Sequence, residues 1–129
     1  MQERTPPEIH ERTAAFWTGG AVGELRIARC RACRLWMHPP QPACRRCRSR
    51  DIEPEAVSGR GTIWSYTISR RSWSPGLEAP YVIAEVELEE QPDLRLMAAV
   101  VDCREVFIGL PVRVRFERAG EAWIPVFAP

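Results

Sequence analysis

The chain has no lysine, no asparagine and only two histidines in 129 residues, so all eighteen of its basic residues are arginine. The missing Lys and Asn, both encoded by AT-rich codons, point to a GC-rich genome and carry no chemistry of their own. Long hydrophobic runs are missing as well. No stretch approaches the roughly 20 apolar residues that cross a bilayer, and Met1-Gln2-Glu3-Arg4-Thr5-Pro6 lacks the apolar core of a signal peptide. A membrane-spanning helix is therefore excluded, and a cytoplasmic location is expected. The length suits one domain or two very small ones and leaves no room for a large internal active-site cleft. With 45% hydrophobic and 27% charged residues, the balance is that of a folded globular chain.

The net charge of +1 conceals an uneven distribution, because Arg26, Arg29, Arg31, Arg34, Arg45, Arg46, Arg48 and Arg50 crowd one stretch. Within that stretch lie Cys30-Arg31-Ala32-Cys33 and Cys44-Arg45-Arg46-Cys47, two CxxC pairs separated by ten residues. Each pair turns two thiolates toward one point, and two pairs complete the tetrahedron that a structural Zn²⁺ takes. All four coordination positions are then filled, which leaves none for a reactive water. Zinc is the expected ion, although iron takes the same four thiolates. Two disulfides do not suit a cytosolic chain, and a redox CxxC needs no second copy at this spacing. Four thiolates on one divalent cation carry a net charge of −2, which the neighbouring arginines offset. His38 lies close enough to compete as a ligand, but with four cysteines present it reads as a ribbon-surface residue; His10 reads as solvated. Cys103 stands alone and reads as a buried thiol, since a nucleophile needs a base and neither histidine is placed to serve it.

Ahead of the cysteines, Thr5 as N-cap, Pro6 at the first helical position and Glu8 predict a helix that carries Ile9, Thr13, Phe16 and Trp17 on one face. Gly19-Gly20 ends it. Leu25-Arg26-Ile27 and Leu35-Trp36-Met37 read as short strands around the first knuckle, and Pro39, Pro40 and Pro42 keep the link to the second knuckle extended. After the turn Ser58-Gly59-Arg60-Gly61, period-two alternation predicts five strands. They carry Trp64, Tyr66 and Ile68; Val82, Ala84, Val86 and Leu88; Leu94, Leu96, Ala98 and Val100; Val112, Val114 and Phe116; and Trp123, Pro125 and Phe127 on their core faces. A short helical turn fits 102–110. Three strands, a helical connector and two strands is the order of an OB-fold, a five-stranded Greek-key barrel, with an SH3-like barrel or small sandwich as the alternative. The fold class is thus mainly β, in three parts: an N-terminal helix over 1–23, a four-cysteine zinc ribbon over 24–57 and an OB-fold barrel over 58–129.

Two functional classes compete. A ribbon rich in arginine beside a barrel with several aromatics fits a single-strand nucleic-acid binder. Against it, placing Trp64 and Tyr66 in the core leaves Ile63, Ser65 and Thr67 outside as a poor stacking platform, and Glu85, Glu87, Glu89 and Glu90 repel phosphate. The loop Ser69-Arg70-Arg71-Ser72-Trp73-Ser74-Pro75-Gly76 is long for a hairpin, and Arg70, Arg71 and Trp73 are candidate contacts to coenzyme A or to a protein partner.

A resemblance favours the partner over nucleic acid, which stays as the alternative. Phe16-Trp17 with Gly19, Gly23-Glu24-Leu25, the two CxxC pairs with Pro39-Pro40 between them, Ser58-Gly59-Arg60-Gly61-Thr62-Ile63-Trp64-Ser65-Tyr66-Thr67, Pro80-Tyr81-Val82-Ile83-Ala84 and Ile108-Gly109-Leu110-Pro111-Val112-Arg113-Val114 span nearly the whole chain. Together they resemble the small acyl-CoA-associated proteins with a rubredoxin-like zinc ribbon and an OB-fold. That resemblance implies zinc on Cys30, Cys33, Cys44 and Cys47. It also implies a partner, since members occur with thiolases and lipid-transfer-protein-type aldolases, or fused to enoyl-CoA hydratases of steroid side-chain breakdown. The expected function is a non-catalytic accessory subunit of such an enzyme, assisting with CoA thioesters, and no catalytic residue carries over.

Overall fold

The computed structural model describes residues 4–72 and 76–129. The predicted N-terminal helix shrinks to α1, Ala14–Thr18, with Thr13 at the N-cap position but making no side-chain cap bond, followed by a 3₁₀ turn over Gly19–Val22. Pro7 accounts for the loss at the start: a proline disfavours the helical region for the residue before it, so Pro6 is a poor opening residue for a helix. Residues 8–12 bury little apolar surface, and a short helix without tertiary packing does not hold. The chain turns instead at Thr13, whose backbone N–H donates to the His10 carbonyl at 3.0 Å. The 3₁₀ turn ends at Gly23, whose φ of 73° is the left-handed conformation glycine adopts without strain.

The ribbon is a three-stranded antiparallel sheet of β1 (Leu25–Cys30), β2 (Trp36–Met37) and β3 (Ile52–Val57), ordered β2-β1-β3. The barrel follows as β4 (Arg60–Ser69), β5 (Tyr81–Leu88), β6 (Arg95–Val100), β7 (Pro111–Ala119) and β8 (Ala122–Ala128). Their order around the closed barrel is β4-β5-β6-β8-β7, with β6 and β8 parallel and the other pairs antiparallel. This is the five-stranded barrel expected from the alternation. The connector over 102–110 contains no helix and consists of bends and a turn. It is tied to β4 through its backbone: the Gly109 N–H donates to the Ile63 carbonyl at 2.7 Å, and the Ile63 N–H donates to the Leu110 carbonyl at 3.0 Å.

One face assignment is overturned. Ile63 is 1% exposed and Trp64 is 46% exposed, the reverse of the sequence expectation. The cause is a β-bulge between Ile63 and Ser65 in the β4–β5 ladder, which adds one residue and shifts the phase of the alternation. Before the bulge Ile63 pairs with Val86; after it Tyr66 pairs with Ala84 and Ile68 with Val82. Tyr66 and Ile68 thus share a face with core residues yet stay substantially exposed, while Trp64 turns out and lies under the Arg95 guanidinium, 3.4 Å from its ring centre. In β8 both faces are buried, not only that of Phe127, because α1 and the 3₁₀ turn pack against this strand. Gly20 sits so close that a Cβ there would lie 2.5 Å from the Trp123 Cβ and 2.6 Å from the Phe116 Cδ1.

Ribbon and barrel share one core. Leu25, Ile27 and Trp36 from the ribbon and Phe16 from α1 belong to the same buried cluster as Ile63, Val86, Leu96 and Phe127. A smaller cluster of Ala28, Cys30, Leu35, Met37 and Cys44 surrounds the knuckles. A side-chain clasp joins the two parts: the Trp36 N–H donates to Gln91 Oε1 at 3.0 Å, and Gln91 Nε2 donates to the Trp36 carbonyl at 3.1 Å. Among the described residues, no helix is long and apolar enough to cross a membrane.

Candidate metal centre

The two CxxC segments fold into matching knuckles. In the first, the Cys30 N–H donates to the Leu35 carbonyl and the Arg34 N–H to the Cys30 carbonyl, both at 2.8 Å. In the second, the Cys44 N–H donates to the Ser49 carbonyl and the Arg48 N–H to the Cys44 carbonyl, again at 2.8 Å. Each turn closes on a residue with left-handed backbone, Arg34 at φ 70° and Arg48 at φ 65°. Backbone N–H groups also point at sulfur, from Cys33 to Cys30 Sγ at 3.5 Å and from Arg46 to Cys44 Sγ at 3.4 Å.

This geometry brings the four sulfurs of Cys30, Cys33, Cys44 and Cys47 to within 4.8 Å of one another. Two of the cross-knuckle separations, Cys30 to Cys47 and Cys33 to Cys44, are 3.5 Å. Tetrahedral thiolates at a Zn–S distance of about 2.3 Å stand roughly 3.8 Å apart, so the donor set and its spacing fit a four-coordinate metal. Cys30 and Cys44 are buried, Cys33 is half-buried and Cys47 is exposed, which puts one edge of the cluster at the surface. The site has four sulfur donors and no carboxylate or imidazole, the pattern of a closed structural centre.

The thiols influence one another strongly. The Leu35 N–H, then the Cys44 thiol and the Arg46 guanidinium, bring Cys33 down to about 6 against the opposing effect of desolvation. At Cys47 the Ser49 N–H lowers the value, but desolvation and the other three thiols outweigh it and push it up to about 11. A divalent cation held by these four sulfurs would relieve the mutual repulsion and displace the remaining protons, so its retention would weaken as the pH falls. Arg46 is the nearby counter-charge, donating to the Cys33 carbonyl at 2.7 Å and itself held more firmly protonated by the Cys33 sulfur.

The other residues singled out from the sequence scatter. Arg70 is exposed, Arg71 is exposed and engaged, and Trp73 lies outside the described residues. Cys103 is half-buried against the barrel core. His10 is exposed and pairs with Glu8 at 3.6 Å. His38 is not the surface residue expected: its ring packs 4.9 Å from Phe16, and it lines a cavity of about 410 Å³ with Arg4, Trp17, Pro39 and Met97. The sequence signal for this was the apolar Trp36-Met37 strand leading directly into it.

Burial lowers the pKa of His38 below its ordinary 6.5 by disfavouring the imidazolium. The unfolded chain therefore takes up this proton first, and stability that is complete above about pH 6.5 is lost as the pH falls from there toward the folded value. His38→Gln is expected to flatten that part of the pH–stability curve, as read by urea denaturation between about pH 7 and 5.

Two family models match successive parts of the chain. Residues 17–53 match the family model described as the rubredoxin-like zinc ribbon domain of ChsH2, and residues 54–117 match the model of its C-terminal OB-fold domain. A probable enoyl-CoA hydratase alpha subunit of Thermomonospora curvata is 34% identical over 127 residues, which is 98% of this chain and 40% of that protein. The 3-oxo-4,17-pregnadiene-20-carboxyl-CoA hydratase alpha subunit of Mycobacterium tuberculosis is 39% identical over 85% of this chain and 35% of its own length. This chain therefore spans well under half of either hydratase subunit. A DUF35 domain-containing scaffold protein of Methanocaldococcus jannaschii is 34% identical over 72% of this chain and 67% of its own. Among solved structures, a chain of the Ltp2-ChsH2(DUF35) aldolase superimposes with a TM-score of 0.85 at 34% identity, covering 95% of this chain and 98% of that one.

Proposed function

Because the chain belongs to the ChsH2 (DUF35) family of proteins with a zinc ribbon and an OB-fold, we propose that it is a non-catalytic accessory subunit of a thiolase-fold acyl-CoA aldolase or thiolase. It serves lipid or steroid side-chain degradation by completing or stabilising that enzyme and helping it hold CoA thioesters. In this reading Cys30, Cys33, Cys44 and Cys47 hold a structural Zn²⁺. Residues 1–23, 24–57 and 58–129 serve as leading segment, ribbon and barrel, and Arg70, Arg71 and Trp73 contact the partner or coenzyme A.

The likeness to a subunit of a solved aldolase assembly over almost the full length of both chains carries the proposal. The surface supports it. Val22, Met97, Phe107 and Ile108 are large apolar side chains left exposed, and Phe107 and Ile108 stand at a turn, where polar residues are the norm. The chemistry supports it too, since Claisen or retro-aldol cleavage takes an acid/base pair and an oxyanion site, which the partner would supply.

Co-expression with the thiolase-fold enzymes of the source genome tests this reading. One of them is expected to co-purify with the chain and to lose solubility and thioester-cleaving activity without it. Equal yield and activity with and without the chain, for every such enzyme, would defeat the proposal.

The outward Trp64 favours a second reading, single-strand nucleic-acid binding, because it restores an aromatic to the barrel surface. Its ring is already covered by Arg95, and Arg95 in turn approaches Glu87 and Asp93, so a stacking base would meet a filled face beside carboxylates.

A further inference from the structure

The eight arginines of the ribbon divide by what their guanidinium groups do. Arg26 pairs with Glu24, Arg29 and Arg34 with Glu55, and Arg31 with Asp51, at 3.2, 3.0, 3.4 and 3.9 Å. Arg46 caps the Cys33 carbonyl. The remaining three, Arg45, Arg48 and Arg50, are exposed, and among the described residues their guanidinium groups have no hydrogen bond and no ion pair. All three lie on or just after the second knuckle, where like charges repel and, apart from the thiolates themselves, no carboxylate among the described residues pairs with them.

Arg48 adds an independent sign. It occupies the left-handed position that closes the knuckle, where glycine is the residue without strain. Its counterpart in the first knuckle, Arg34, has the same strained backbone but uses its side chain on Glu55. At position 48 the backbone closes the knuckle through the Arg48 N–H, but the side chain has no hydrogen bond or ion pair among the described residues.

We infer that the tip of the second knuckle, formed by Arg45, Arg48 and Arg50, docks on an acidic protein surface; on the reading above, that surface belongs to the partner enzyme. Arginine suits this task because its planar fork binds carboxylates in pairs. A protein surface fits better than a nucleic acid because the cationic area is small and bounded. Asp51, just before β3, and Glu53 and Glu55 on β3 follow it in the chain. A phosphate backbone needs a track of several cations, and the unpaired ones here are three within six residues. A cluster of carboxylates on a protein needs only the tip.

The test uses the full chain and the co-purifying thiolase-fold enzyme. Wild-type affinity is expected to fall at least about tenfold between roughly 50 and 500 mM NaCl. The triple variant Arg45→Glu/Arg48→Glu/Arg50→Glu is expected to bind about a hundredfold more weakly, with metal content unchanged. Arg48→Gly keeps the proposal falsifiable even if the triple variant folds poorly: it should raise the melting temperature by relieving the backbone while weakening the complex, two changes of opposite sign. Equal affinity of wild type and variants would overturn the docking face and leave the accessory-subunit reading standing. Loss of metal from the variants would make these arginines counter-charges of the thiolates and overturn it as well. A labelled oligonucleotide shifted by wild type but not by the triple variant would replace it with nucleic-acid binding. No binding by wild type to any thiolase-fold enzyme would overturn the accessory reading itself, and the docking face with it.

Discussion

Cys44→Ser is expected to release the bound metal and unfold the ribbon, with a loss of stability above about 4 kcal/mol, the range in which loss of a metal site places a single substitution. Cys44 is buried, its sulfur is 3.5 Å from that of Cys33, and the small cluster of Ala28, Cys30, Leu35 and Met37 is built around the knuckles. Without the cation, burying several thiols that differ in protonation leaves partial charges opposed at short range. The ribbon has little else to hold it: β2 is two residues long, and β3 is an edge strand with a proline in it. Metal analysis of the purified variant and thermal unfolding are the measurements, with Cys103→Ser as the control that should keep its metal. A Cys44→Ser protein that retains one equivalent of metal and its melting temperature would show that the four sulfurs are not a structural centre.

Leu25→Ala has the second large expected effect. Leu25 is 1% exposed and lies in the ribbon, yet it belongs to the barrel's core cluster. Removing three buried carbons costs the transfer energy and the cavity left behind, about 2–5 kcal/mol for a Leu→Ala change. In a protein of this size that lowers the melting temperature by roughly 10 °C. Because ribbon and barrel share the core, one cooperative transition should move as a whole, seen together by far-UV and near-UV circular dichroism. Two separated transitions, with only the ribbon shifted, would mean that the halves are energetically independent.

What the sequence reveals here follows the range of the interaction involved. The knuckles are local: two residues between cysteines and ten between pairs fix the chemistry before any tertiary contact is known. The five barrel strands are legible because burial on one face imposes alternation, clear in Val82, Ala84, Val86 and Leu88. The failures are places where a neighbour distant in sequence, or one extra residue, changes the outcome. The bulge at Ile63–Ser65 is silent in a run of strand formers, so Trp64 reads as core when it is outside. β3 escapes notice because Ile52-Glu53-Pro54-Glu55-Ala56-Val57 has little apolar alternation; it is a strand because β1 pairs with it along its whole length, and its proline is tolerated at an edge. The N-terminal helix fails for a local reason that was available, the effect of Pro7 on Pro6. His38 is half-buried against Phe16, a contact across more than twenty residues that no spacing rule encodes.

The Gln91 clasp has a mechanical meaning. Its carboxamide offers one acceptor and one donor to Trp36, the same pair that a neighbouring strand residue would present, so a side chain stands in for a rung of sheet between two bodies that are otherwise separate sheets. With that rung and the common interior, the knuckle tip is held at a set bearing from the barrel wall. Any macromolecule that grips both would meet a template whose angle is already settled, and little freedom would remain to be surrendered on contact.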